Sequence, residues 1–113
     1  MFMREEMSGE EVQLHVRGAV DKQAAEEFQQ VLQELASGDY RIITLDLSEV
    51  PSINSTGIGK ILLLRKSLTE QDRTIRIRGC SDTLFNTFQL IKFDRLVSID
   101  RQGLSGPQAT QQR

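Results

Sequence analysis

The sequence predicts an α/β fold: a mixed, mostly parallel sheet of roughly four to five strands, with helices mainly on one face. Two observations predict it. Short segments that alternate apolar and polar residues take turns along the chain with segments of helical periodicity, and that order implies parallel strands joined by right-handed crossovers. The alternating segments also keep a polar face, whereas strands covered on both sides read as continuous apolar runs. The helices are therefore expected on one face, with the other largely wet.

The elements follow in order. Residues 11–17 alternate strictly, with Val12, Leu14 and Val16 on one face and Gln13, His15 and Arg17 on the other. The Ser8-Gly9 turn before them lets residues 2–6 pair back as a short hairpin strand, and Gly18 ends the longer strand. Asp21 then reads as a helix N-cap, its side chain accepting from free N–H groups of the next turn. Ala24, Phe28, Val31, Leu32 and Leu35 form the apolar stripe of that helix, which Ser37-Gly38 closes. Residues 41–47 make the next strand, with Ile43, Leu45 and Leu47 on one face. Pro51 keeps Val50 out of helical conformation and carries the chain away.

A second helix is expected over residues 56–69, with Ile58, Ile61, Leu62, Arg65 and Leu68 at helical spacing. Residues 74–78 read as a strand with Ile75 and Ile77 inward and Arg76 and Arg78 outward, stopped by Gly79. Ser81 caps a third helix whose buried stripe is Leu84, Phe85, Phe88 and Ile91, and a last short strand is expected at 96–99. Residues 1–100 thus form one domain, and 101–113 read as a flexible C-terminal tail.

Composition narrows the function. The chain has 113 residues, 16 acidic and 14 basic, for a formal net charge of -2. So balanced a chain has no global charge with which to hold nucleic acid or an anionic membrane, and neither partner is expected. The single Cys cannot make an internal disulfide, and one Cys with one His cannot build a zinc site without carboxylates. No metal or cofactor is expected, and a domain that acts by binding is favoured over a self-sufficient enzyme. Glu5 and Glu6 stand where a signal peptide would be apolar. The longest run of large aliphatic residues, 61–64, falls far short of the ~20 needed to cross a bilayer. The cytoplasm is the expected compartment, and a free Cys80, read as a small core filler, suits it. His15 reads as an outward strand residue. Arg76 and Arg78 read as a solvated strand face; the rival reading joins them with the nearby Arg73 in an acidic-partner patch.

Three motifs between residues 53 and 61 fail on inspection. Gly59-Lys60 lacks the Gly that a phosphate loop needs at Asn54 and the Ser or Thr it needs at Ile61. Ile53-Asn54-Ser55-Thr56-Gly57 has Ile53 where a nucleophile elbow has its first Gly, and the only His precedes the serine. Asn54 with Asp46 and Glu49 lacks the acidic spacing of a calcium loop. What remains is position. Asn54, Ser55 and Thr56 lie where a strand end passes into a helix start, and free N–H groups and the positive end of the helix dipole converge there. A phosphate on Ser55 would sit in that field. The plainer reading is that Ser55 or Thr56 is simply the N-cap.

The stretch Ile43-Thr44-Leu45-Asp46-Leu47-Ser48-Glu49-Val50, followed by Ile53-Asn54-Ser55-Thr56-Gly57-Ile58-Gly59, resembles the STAS domain family, the anti-sigma-factor antagonists of bacterial partner-switching systems. The family pattern is an apolar strand ending in Asp-Leu, a short linker, then Asp-Ser-Ser/Thr-Gly-Leu/Ile-Gly. Gly18-Ala19-Val20-Asp21 and the 84–96 segment add to the likeness, which runs over about residues 11–99.

The resemblance implies an antagonist that binds an anti-sigma factor, itself a serine kinase, and so frees a sigma factor. Phosphorylation lowers that affinity, and a separate serine phosphatase resets it. Carried over, Ser55 is the phosphoacceptor, with Thr56 as second choice. Asn54, Ser55, Thr56, Gly57, Lys60 and Arg65 are the expected partner contacts. Asn54 stands where the family has Asp, keeping its size and local hydrogen bonding without its charge. The alternative is a binding module without phosphoregulation: a subunit of a transporter or sensory complex, or a small-ligand or nucleotide binder. A hydrolase using Ser55 lacks a base.

Overall fold

A computed structural model describes residues 1–101. The order is β1 (Phe2–Ser8), β2 (Glu11–Arg17), α1 (Ala24–Ala36), β3 (Ile42–Glu49), α2 (Ser55–Thr69), β4 (Thr74–Cys80), α3 (Asp82–Leu90), a 3-10 turn (Phe93–Arg95) and β5 (Ser98–Arg101). All five strands form one sheet in sequential order, β1-β2-β3-β4-β5. β1 runs antiparallel to β2, and the other neighbours are parallel. Each crossover steps one strand along in the same direction, so right-handed connections leave α1, α2 and α3 on one face.

Burial follows that geometry. Val12, Leu14, Val16, Ile43, Leu45, Leu47, Ile75 and Ile77 are buried beneath the helices, with Phe28, Leu32, Ile61, Leu68 and Phe88 opposite them. The other sheet face carries Gln13, His15, Thr44, Asp46, Arg76 and Arg78, all half-buried or exposed. There the His15 ring links three strands. Its Nδ1 lies 2.9 Å from Asp46 Oδ2 on β3, and its Nε2 2.9 Å from Glu6 Oε1 on β1. Burial opposes the charge on Asp46. The Ser48 N–H and hydroxyl together with His15 outweigh it and hold the carboxyl below its usual range.

Most expected elements are present, with shifted ends. The hairpin strand exists and is longer than expected, turning at Gly9 with φ +61, the positive value a two-residue hairpin loop needs. Asp21 stands three residues before α1, where its Oδ1 accepts from Ala24 N–H at 2.9 Å, while Gln23 holds the cap position and makes no side-chain cap bond. The buried stripe uses Ala25 in place of Ala24, and Val31 is only half-buried. In α2, Leu64, which the expected spacing left out, is buried, and Leu62 is only half-buried. β4 does not stop at Gly79: with φ +74, Gly79 makes an irregularity that lets Cys80 pair with Arg101. β5 begins two residues later than expected, after the buried Val97.

Further side chains depart from their sequence readings, Phe85 among them, which is only half-buried on α3. Ile91 is 52% exposed, because α3 ends at Leu90 and Lys92, at φ 60, turns the chain before the stripe completes. Arg73 does not join Arg76 and Arg78 in a patch free to meet an acidic partner. It donates to the carbonyls of Tyr40 and Ala36, at 2.6 and 2.7 Å, and so satisfies the carboxyl end of α1. Cys80 fills the core as expected, and burial, with Asp82 nearby, pushes its thiol up to about 12. Apart from Arg101, the expected tail at 101–113 lies outside the described residues.

Candidate phosphoacceptor and partner-binding site

The site is the passage from β3 into α2. After Val50, which is buried, the chain passes without regular structure through Pro51 and Ser52 to Ile53. It is pinned there to the segment following β2. Gly18 N–H donates to the Glu49 carbonyl, Val20 N–H to that of Ser52 and Asn54 N–H to that of Val20, at 3.0, 3.0 and 2.9 Å. Val20 and Ile53 form a parallel bridge and are both buried. Backbone hydrogen bonds and two apolar anchors thus set where the helix can begin.

That start is one residue earlier than expected, and the cap is Asn54. Its backbone is extended (φ -84, ψ 172), and its Oδ1 accepts from Gly57 N–H at 2.7 Å. Its carbonyl accepts from Ile58 N–H at 3.0 Å, the first bond of the helix. Ser55 and Thr56 therefore occupy the first two helical positions and do not cap. Both side chains are exposed, and among the described residues neither hydroxyl has a hydrogen-bond partner. Asn and Asp cap about equally well, so the missing charge at position 54 leaves the local fold intact.

Gly57 explains why a helix good at excluding glycine keeps one in its first turn. A Cβ there would lie 2.8 Å from Val20 Cγ1 and 2.9 Å from Ile53 Cγ1, both on buried anchors of the loop. Ala would gain ~0.5–1 kcal/mol of helix propensity, but overpacking typically costs ~1–3 kcal/mol. Gly57→Ala is expected to lower the thermal midpoint, and a raised midpoint in a melt would show that the loop yields freely.

The predicted contacts do not all share a face. Asn54, Ser55, Thr56 and Gly57 gather at the start of α2. Lys60 follows Thr56 by four residues, close above it on the helix. Arg65 points about 140° away from Lys60 at 3.6 residues per turn. Its Nε donates to the Leu96 carbonyl at 2.8 Å, tying α2 to the chain before β5. Sequence reasoning noted Gly18 to Asp21 only as a motif and missed that it flanks the site; no local signal marks that pairing. Among the described residues no group of His, Cys, Asp and Glu could hold a metal, and no helix is long and apolar enough to cross a membrane.

Comparison with known proteins agrees with this architecture. The anti-sigma-B factor antagonist of Listeria monocytogenes is 26% identical over 94 residues, spanning 83% of this chain and 82% of that protein. The protein of the same name in Staphylococcus aureus is 26% identical over 88 residues, 78% of this chain and 82% of its own. An anti-sigma factor antagonist from Mycobacterium paratuberculosis superposes with a TM-score of 0.81 at 15% identity, over 88% of this chain and 84% of that one. SpoIIAA of Bacillus, in its phosphorylated form, superposes with a TM-score of 0.70 at 18% identity, over 99% and 98%. The family model described as "Mlab, STAS domain" matches residues 3–98, nearly all of the sheet and every helix. With that match on a single-faced, sequentially ordered sheet, the chain belongs to the STAS domain family.

Proposed function

We propose that this chain is an anti-sigma-factor antagonist, binding an anti-sigma factor that is also a serine kinase, and that phosphorylation of Ser55 switches it off. One observation carries the reading. The Ser55 hydroxyl is exposed at the first position of α2 and is not consumed by capping, which Asn54 performs. The names of the Listeria and Staphylococcus relatives support the antagonist role. The partner supplies ATP, Mg²⁺ and base, so this chain needs no catalytic groups of its own, and a serine phosphatase resets it in the cytoplasm. Thr56 is the second acceptor.

Intact-mass measurement after incubation with ATP, Mg²⁺ and the serine-kinase anti-sigma factor from the same genome tests this. The wild type is expected to gain one phosphate and Ser55→Ala none. A Ser55→Ala chain that still takes up phosphate moves the acceptor elsewhere. A second reading, a STAS binding module without the switch, is favoured by the neutral Asn54 at the family's Asp position. It holds if the wild type binds its partner and stays unmodified while Asn54→Asp becomes a substrate.

A further inference from the structure

α2 is apolar on more sides than the core needs. Of the run Ile61 to Leu64, Ile61 and Leu64 are buried and Leu62 is half-buried, yet Leu63 is 60% exposed. Leu63 does not stand alone. It lies on a groove of about 420 Å³ between α1 and α2. α1 contributes Gln29, Leu32 and Ala36, at i, i+3 and i+7; α2 contributes Lys60, Leu63 and Ser67, with the same spacing. Two matched stripes on neighbouring helices make a channel that runs along both axes. On α2 it extends from Lys60 to Ser67, about 10 Å at 1.5 Å per residue, or two helical turns, and Gln71 lines it beyond the end of the helix.

The lining chooses the occupant. Its floor is aliphatic, its rims are amides and hydroxyls, and its single charged residue is Lys60; no acidic side chain borders it. Lys60 also stands at the end nearest Thr56, so the groove opens beside the first turn of α2, while Ser55, five residues before Lys60, points about 140° away from it.

We propose that this groove seats a short amphipathic helix of the anti-sigma factor. Its apolar stripe of about two turns lies over Leu32 and Leu63, and an acidic residue at the Thr56 end meets Lys60. The proposal rests on the antagonist reading above and locates the partner on one particular face: beside α1, and not on the Arg65 side of α2. A helix held there places the partner against the first turn of α2, next to the proposed phosphoacceptor.

The experiment titrates the fluorescently labelled chain with the ADP-bound serine-kinase anti-sigma factor of the same genome. Leu63→Glu and Lys60→Glu are run beside the wild type, with thermal melts of each. Leu63 is exposed, so Leu63→Glu is expected to melt with the wild type while binding about 30-fold more weakly, the loss typical of a central anchor. Lys60→Glu is expected to lose about 10-fold, more at low salt than at high. Wild-type binding that both variants retain overturns the groove while leaving the antagonist reading standing. A wild type that does not bind the kinase overturns both. A wild type that sediments as a dimer which Leu63→Glu dissociates overturns the proposal in favour of a second copy of this chain.

Discussion

Phosphate on Ser55 is expected to weaken binding to the anti-sigma factor by about 100-fold, equivalent to ~2.7 kcal/mol, without loosening the fold. The two halves of that expectation come from the same geometry. A phosphoserine adds about -1.5 to -2 charges at neutral pH, so a chain of net -2 roughly doubles its charge at one point. That point is the exposed first residue of α2, where a partner presenting acids or ATP phosphates meets it with like-charge repulsion and a desolvation penalty. Within the chain the same phosphate lies at a helix N-terminus beside a neutral Asn54, where a negative charge typically gains ~0.3–1 kcal/mol. The phosphorylated chain is therefore expected to melt at or slightly above the unmodified one while losing its partner. Calorimetric titration and a thermal melt on the same sample decide it. A phosphoprotein that binds unchanged removes the switch, and one that melts well below the unmodified chain turns the loss of binding into unfolding. Ser55→Asp carries about half the charge and is expected to give a smaller loss of affinity in the same direction.

What the sequence disclosed and what it withheld divide along a physical line. β2, β3 and the inner half of β4 are readable because each buries one face, so the period-two pattern is forced on Val12, Leu14 and Val16, on Ile43, Leu45 and Leu47, and on Ile75 and Ile77. The cap at Ser81 and the Asp21 bond to the first turn of α1 are readable because one side chain faces one turn. Asn54, Ser55 and Thr56 are three capping residues in a row, and propensity cannot choose among them. The choice is made by the bonds from Val20 and Gly18, some thirty residues away, that fix where the chain stops being extended. The role of Arg73 and the passage of β4 through Gly79 were out of reach for the same reason. The first answers carbonyls at the end of α1 and the second accommodates pairing with β5; neither demand is local. The acceptor serine itself came from resemblance, since position alone left it indistinguishable from a cap.

Phe88→Ala is expected to destabilise the chain by about 3–5 kcal/mol, while Ile91→Ala stays within ~0.5 kcal/mol. Sequence periodicity places both residues on one buried stripe of α3; the structure separates them. Phe88 has no exposed surface, and its ring lies 4.9 Å from that of Phe93, which is itself buried. Truncating it removes the transfer energy of a benzyl group, forfeits the ring pair and leaves a cavity between α3 and the 3-10 turn. Ile91 lies past the last residue of α3, with about half its surface in water already. Against a typical total of 5–15 kcal/mol, the Phe88 loss is large enough to lower the melting midpoint by on the order of 20 °C in a domain this size. Urea titration of the two variants measures both differences on one scale. Equal costs would mean that α3 continues through residue 91 with its stripe buried. The chain from Lys92 to Val97 would then need another path to β5, and the Leu96 carbonyl that Arg65 holds would move with it.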